Sequence, residues 1–365
     1  MNPVKVGIVG CGAISPAYFT GSRIYDQLKI VACADLDVSR ARARAEEFGV
    51  PRAMSVEDLL ADDEVELVIN LTVPQAHAPV SLAALRAGKH VYLEKPLALD
   101  LQSAQAVIGL AGEKNLRIGC APDTFLGGGI QTARHAVDLG TIGQPVAATA
   151  FCCGHGHEGW HPGPQFYYQR GGGPMFDMGP YYLTALINLI GPCANVSGST
   201  RISFPTRTIT SQPLAGTVIP VETPTHLAGT LEFAGGAIVT MIMSFDIWGH
   251  QLPCIEIHGT DGSLVVPDPN RFDGDVQLMR ASTRTWERIP HTHRTDIGRG
   301  TGVADMAAAI RSGRPHRASG EMAMHVVEIM AAFERSSTER KHIAIKSRVD
   351  RPAALLPDLP LGHLD

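Results

Sequence analysis

A short apolar stretch, His90-Val91-Tyr92-Leu93, runs into Glu94-Lys95-Pro96. The stretch has the composition of a strand, and open α/β sheets bind their ligands at the carboxyl ends of the strands. A lysine at such an end is held on a rigid element beside whatever the sheet binds. Lysine is also the cation whose pKa moves most readily on desolvation, which suits proton transfer. Taken alone, Glu94-Lys95 reads as a solvated turn, so its meaning depends on what accompanies it. A second group is Gly171-Gly172-Gly173-Pro174-Met175-Phe176-Asp177-Met178-Gly179-Pro180-Tyr181. Pro174 suits a first helical turn, and Asp177 and Tyr181, four apart, project from one helix face. Pro180 removes a helical hydrogen bond to Phe176, so a local distortion is expected. The alternative is that Asp177 only charges the start of a helix.

Cys153-Gly154-His155-Gly156-His157-Glu158-Gly159-Trp160-His161 is a third group. If the preceding strand runs on, His155 and His157 share a face. Three histidines and a glutamate are a possible zinc set, but the glycines make a poor metal scaffold. Imidazoles, a carboxylate and the Trp160 ring also suit a sugar, through its hydroxyls and its C–H face. Polyol or sugar contact by His155, His157 and Trp160 is the reading preferred over a metal site or a purely structural loop.

The elements that must carry these residues begin with an apolar strand over Val4–Val9, then Gly10-Cys11-Gly12-Ala13-Ile14-Ser15 opening a helix. A second strand ends at Asp35, 25 residues after Gly10. A glycine loop before a helix, with an acid at the end of the next strand, is the fingerprint of a dinucleotide fold. Glycines admit the pyrophosphate to the positive helix N-terminus. Asp35 would accept from a ribose hydroxyl and repel a 2′-phosphate, which favours NAD while leaving NADP open. Strands and helices keep alternating through helix 38–48, a short helix at 55–60, strand 65–71, a helix to 87, the lysine strand, helix 100–114 and strand 116–120. That alternation predicts a doubly wound parallel sheet. Thr72, Pro74 and His77 follow the fourth strand and are expected to wall a nicotinamide pocket. Ala121-Pro122 breaks the pattern, so the expected domains are residues 1–121 and 122–365. Beyond it come helices at 127–139 and 173–190, longer alternating strands to about 279, and late helices at 306–311 and 321–335. These predict an α/β domain with a large open, mostly antiparallel sheet.

Composition bounds the rest. The 365 residues suffice for about two domains, and 44% hydrophobic with 18% charged is ordinary for a globular chain. A net charge of −5 without a basic block argues against a nucleic-acid partner. No apolar run has the length of a membrane span, and the N-terminus lacks the zones of a signal peptide. Seven cysteines without a CxxC, with Cys11, Cys33 and Cys120 in or beside strands, suggest small core fillers and a reducing cytoplasm.

With these residues in hand, the chain resembles the glucose–fructose oxidoreductase / inositol dehydrogenase / rhizopine catabolism (Gfo/Idh/MocA) family. The resemblance rests on the glycine loop, on Thr72-Val73-Pro74-Gln75-Ala76-His77, on Ala87 through Glu94-Lys95-Pro96, and on Gly171-Gly172-Gly173 with Asp177. It implies an N-terminal Rossmann domain, a C-terminal domain whose open sheet forms a homodimer or homotetramer contact, and reversible hydride transfer between a nicotinamide and a secondary alcohol of a sugar or polyol. It implies cofactor contacts from Gly10, Gly12, Ala13, Ile14, Asp35, Thr72, Pro74, His77, Glu94 and Lys95. Lys95, Asp177 and Tyr181 take the catalytic positions, and a cis Lys95–Pro96 bond is expected. One departure stands out: the family's usual histidine four residues after the aspartate is Tyr181 here, a poorer base with an ordinary pKa near ~10. That shifts the acid/base work toward Lys95, for which desolvation would have to lower the pKa. A non-catalytic NAD sensor and an NAD-recycling hydrolase or epimerase are the rival readings.

Overall fold

The structure, a computed structural model, describes residues 2–364. Its first half alternates β1 (Val4–Val9), α1 (Ser15–Ser22), β2 (Leu28–Ala34), α2 (Val38–Phe48), β3 (Ala53–Met54), α3 (Val56–Ala61), β4 (Leu67–Asn70), α4 (Pro74–Arg86), β5 (His90–Leu93), α5 (Leu101–Glu113) and β6 (Ile118–Cys120). The strands pair in parallel in the order β3-β2-β1-β4-β5-β6. Helices cover both faces, so β4 is buried throughout and β5 over Val91, Tyr92 and Leu93. Helix starts are set locally: Asp37, Ser55 and Asp100 each accept an amide from the first turn of α2, α3 and α5. The strand order reverses between β1 and β4, which opens a crevice at their carboxyl ends. Cys11, Cys33 and Cys120 are buried in this core, as expected of small fillers.

The second half contributes α6 (Gly128–Asp138), β7 (Pro145–Cys153), α7 (Gly173–Ile190), β8 (Cys193–Arg201), β9 (Thr206–Thr208), β10 (Val218–Pro220), β11 (His226–Phe233), β12 (Ile238–Ser244), β13 (Ile255–Gly259), β14 (Gly262–Val266), β15 (Val276–Arg280) and β16 (Trp286–Ile289). It closes with α8 (Thr301–Ser312), α9 (Gly320–Glu339) and β17 (Ile343–Ala344). A nine-stranded sheet runs β16-β15-β14-β13-β7-β12-β11-β8-β17, antiparallel except where β7 meets β12. It is thus open and mostly antiparallel. Helices α7 and α9 pack on one face; the other carries exposed Ile238, Thr240 and Thr230.

Three local features differ from the sequence reading. Helix α7 runs unbroken through Pro180, held by the buried packing of its residues from Gly179 to Leu189 despite the missing amide. The strand before the histidines ends at Cys153, so the alternation does not carry His155 and His157 onto one face. The loop after them contains a tight 3₁₀ turn, Pro164–Tyr168, which packs with the β9–β10 hairpin in a small separate cluster of Tyr168, Ile209, Ile219, Val221 and Phe245. The chain then returns to its first half. Helix α8 packs on α1 and β6, α9 packs on α5, and Cys120 donates its amide to Ala318 at 3.0 Å. Among the described residues no helix is long and apolar enough to cross a membrane.

Candidate active site

At the carboxyl end of β1, Gly10 has φ +101, and a Cβ there would lie 2.7 Å from the Leu71 carbonyl, so only glycine lets the loop pass. Nothing lies within 4 Å of a Cβ built on Gly12, which leaves open space beside the loop. Ala13 is exposed and Ile14 half-buried at the same rim. Ser15, the small residue at the third glycine position, is buried and donates its hydroxyl to Gly12 at 2.8 Å. Asp35 braces the loop: it accepts the Cys11 amide at 2.8 Å and the Asp37 amide at 3.0 Å, with Arg40 at 3.4 Å. A carboxylate has about four acceptor positions, so these contacts leave capacity for a ribose hydroxyl. Free space at Gly12, main-chain amides and an acceptor fixed at the rim fit a dinucleotide.

Thr72 and Pro74 stay half-exposed at the end of β4, whereas His77 turns inward. Its Nδ1 lies 2.6 Å from the Pro96 carbonyl and its Nε2 3.0 Å from the Thr72 carbonyl. Burial holds its pKa down while the two carbonyls pull the other way. His77 therefore ties the β4 end to the turn after Lys95 and does not present a nitrogen to the pocket. Glu94 also points back into the fold, accepting Tyr18 Oη at 2.8 Å and the Lys95 amide at 3.1 Å. Burial raises its pKa, but Arg299, Lys95 and these donors outweigh it and hold it low.

Lys95 faces the other way. The Lys95–Pro96 bond is cis, and Nζ reaches α7, donating to the Asp177 carbonyl at 2.7 Å and to Asp177 Oδ1 at 2.9 Å. It also sits 5.2 Å from the Tyr181 ring centre. Burial by itself lowers the lysine, but Asp177, Tyr181 and Glu94 together raise it above its ordinary value. The expected lowered pKa is therefore corrected: a lysine paired to a carboxylate in a low-dielectric seam stays an ammonium. Gly173, at φ +77, lets α7 start against the Pro224 carbonyl, 2.7 Å from where a Cβ would stand, and so sets the depth at which Asp177 enters.

His157 lies on the far side of Asp177, its Nε2 3.6 Å from Oδ2, with its ring stacked on Tyr167 at 3.7 Å. His155 goes elsewhere. It stacks on Trp248 with ring centres 3.3 Å apart, and its Nε2 lies 3.3 Å from Arg207. Trp160 stands 66% exposed at the rim, its ring 5.3 Å from His157. Among the described residues no group of three or more His, Cys, Asp or Glu could hold a metal ion. Of the proposed sugar-contacting set, the structure brings His157 to Asp177, leaves Trp160 exposed beside His157, and holds His155 in the loop's own packing.

Residues not singled out from sequence complete the site. Arg299, in the segment before α8, donates to Tyr181 Oη at 2.9 Å and to Asp123 Oδ1 at 3.3 Å. Asp123 Oδ2 accepts the amides of Gly300 and Gly302, both at 3.1 Å. Arg207 clamps the histidine loop, donating to Glu158 at 2.8 Å and also bonding Asp246. Two signals were available: Asp123 follows a strand's carboxyl end, and Arg299 sits between Gly298 and Gly300 just before a helix.

The sequence pattern of the Gfo/Idh/MocA oxidoreductase family, with its NAD-binding Rossmann fold, matches residues 4–121, and that of the family's C-terminal domain matches residues 130–265. The chain belongs to the Gfo/Idh/MocA family. As a Gfo/Idh/MocA protein it is an NAD-binding oxidoreductase. An uncharacterized oxidoreductase of Rhizobium meliloti is 27% identical over 92% of this chain and 98% of its own length. The 1,5-anhydro-D-fructose reductase of Ensifer adhaerens is 32% identical, over 40% of this chain and 44% of the reductase. In three dimensions the chain superposes on a levoglucosan dehydrogenase solved with NADH and levoglucosan, with TM-score 0.80 and 20% identity over 94% of this chain and 99% of that one. That likeness establishes the fold.

Proposed function

We propose that this protein is a dehydrogenase that interconverts a secondary hydroxyl and a ketone on a sugar or polyol, using NAD. The observation that carries the reading is Lys95 Nζ held 2.9 Å from Asp177 Oδ1 at the carboxyl end of the sheet. A nicotinamide held beside this cleft would supply the hydride acceptor for oxidation and the hydride donor for reduction. Lys95, as an ammonium, donates a hydrogen bond to the reacting oxygen and stabilises the negative charge that develops there. Asp177 holds the ammonium in place beside the substrate hydroxyl. Tyr181 Oη, fixed by Arg299, closes the cleft beside the lysine. His157 and Trp160 offer a nitrogen and a ring face to a polyhydroxylated substrate. The reductase and levoglucosan dehydrogenase relatives support this substrate class.

A panel of sugars and polyols, followed by NADH absorbance, tests the reading. Substrate-dependent NADH formation is the expected result. Product without net NADH would point to the cofactor-recycling chemistry, and tight NAD binding with no product to a sensor. Asp35 sets the cofactor preference in this reading: Asp35→Ser is expected to move the NADPH-to-NADH affinity ratio at least about tenfold toward NADPH, the equivalent of about 1.4 kcal/mol. An unchanged ratio by fluorescence titration would remove Asp35 from that role. The outer face of the nine-stranded sheet is the proposed contact between copies of the chain, and light scattering should then report a dimer or tetramer.

A further inference from the structure

The dehydrogenase reading leaves one proton without a destination. Oxidation removes a proton from the alcohol oxygen, and the groups nearest Asp177 on its lysine side are poor acceptors. Lys95 is held protonated by Asp177. Tyr181 Oη already accepts from Arg299, and burial pushes its pKa up. On this reading, we propose that His157 is the proton acceptor for the alcohol, supplying from the loop after β7 the imidazole that position 181 lacks.

The geometry is that of a prepared base. Asp177 is shared: Oδ1 takes the ammonium of Lys95, and Oδ2 lies 3.6 Å from His157 Nε2. That gap is too long for a direct hydrogen bond, so Nε2 remains open to a hydroxyl seated at the carboxylate. The ring cannot swing freely. Tyr167 stacks on it at 3.7 Å with planes 10° apart, and Phe245 meets its edge at 4.7 Å. Its main-chain amide is anchored on Tyr168 Oη at 3.2 Å.

The hydrogen bonding of His157 also separates it from histidines that are merely buried. His77 has a carbonyl at each ring nitrogen. His325 accepts the Cys193 amide at Nε2 and meets Ser347 Oγ at Nδ1. His157 Nδ1 is buried with no hydrogen-bond partner, as is His155 Nδ1, but only His157 turns its other nitrogen toward Asp177, whereas His155 Nε2 lies 3.3 Å from Arg207. Burial lowers the His157 pKa. His161 on its own loop and Lys95 act in the same direction, while Asp177 on α7 and Glu158 beside it oppose them without reversing the sign. The ring is therefore neutral at pH 7 and able to accept a proton.

In the oxidation step the alcohol O–H bond breaks and its proton passes to Nε2. The C–H electron pair leaves with its hydrogen to the nicotinamide dinucleotide, and the oxygen becomes a carbonyl. Asp177 and Glu158 steady the imidazolium only in part, because burial, His161 and Lys95 outweigh them, and the proton passes on to water. Reduction runs the same path backwards.

Two candidate bases give different pH profiles. With His157 as base, kcat/KM for oxidation falls only on the acid side, with a midpoint below the ordinary histidine value of about 6.5. With neutral Lys95 as base, the rate would climb with pH toward and beyond about 10.4. His157→Asn is expected to lose about 100-fold or more in kcat, to lose the acid limb, to keep KM within a few-fold, and to regain turnover from added imidazole. Nitrogen NMR of the cofactor-free protein should show the His157 ring neutral at pH 7, and NADH fluorescence titration should show binding unchanged in the variant. If His157→Asn fails to bind NADH, His157→Gln takes its place with the same readouts. An acid limb that survives the substitution, a loss confined to KM, or an imidazolium at pH 7 overturns the proposal alone. A wild-type protein that turns over no sugar or polyol overturns the dehydrogenase reading along with it.

Discussion

Lys95→Ala is expected to bind NADH within a few-fold of wild type and to lose turnover by roughly 10²- to 10⁴-fold, the range for removing a positioned proton-transfer or charge-stabilising group. The reason is geometric. The glycine loop and Asp35 that would hold the cofactor share no hydrogen bond with Lys95, whose Nζ bonds lie on α7. The side chain is therefore separable from cofactor binding and inseparable from the Asp177 cleft. Lys95→Arg should be nearly as inactive, because a planar fork cannot reproduce the point contact to both the Asp177 carbonyl and Oδ1. Near-normal kcat in either variant, with NADH binding intact, would end the assignment. The pH sign follows from the raised pKa of Lys95. A lysine whose folded pKa is raised stabilises the fold at pH values below its ordinary pKa and loses that contribution only as pH rises through the higher folded value. Stability near neutrality should not respond to Lys95 titration, and the stability deficit of Asp177→Asn should be largest near neutrality and narrow at alkaline pH, where the wild type loses the same contribution.

Arg299→Leu is expected to lower unfolding free energy by about 3–5 kcal/mol, the cost of leaving a buried carboxylate without its counter-charge. Asp123 is fully buried and Arg299 is 12% exposed, so solvent replaces little of the lost interaction. Glu94, also buried, loses the positive charge that does most to hold its pKa low. The Arg299→Leu, Asp123→Asn double variant should recover part of the loss, since the stranded charge is then gone while the Gly300 and Gly302 amides keep an acceptor. Denaturant unfolding checks both, and a single-variant loss under about 1 kcal/mol would place Arg299 among pairs that contribute little. Tyr181 adds a functional readout. Freed of the guanidinium, its hydroxyl is no longer fixed beside Lys95, and substrate KM should rise.

Much of this protein can be read along the chain. Parallel strands covered on both faces must be continuous apolar runs, and so β1, β2, β4 and β5 were recognisable. Gly10 and Asp35 were recognisable because a tight turn and a rim acceptor require those residue types at nearly fixed spacing. Asp37, Ser55 and Asp100 end or begin elements through contacts only two or three residues away. Lys95 was legible as a lysine at a strand's end, and Asp177 with Tyr181 as one face of a helix.

Only tertiary packing decided which of these side chains meet, and in what protonation state. Lys95 and Asp177 are 82 residues apart, and Tyr181 and Arg299 are 118 apart. Neither meeting leaves a periodicity to detect. The lysine's pKa could be argued downward from burial, but the sign depended on a carboxylate from another element. The histidines looked equivalent in sequence. The end of β7 at Cys153, the Arg207 clamp and the stacking of Tyr167 gave one to the loop and one to the cleft. Local sequence specifies backbone conformation through short-range sterics and hydrogen bonds, whereas the chemistry of a site depends on distances and desolvation that exist only once remote elements are packed together.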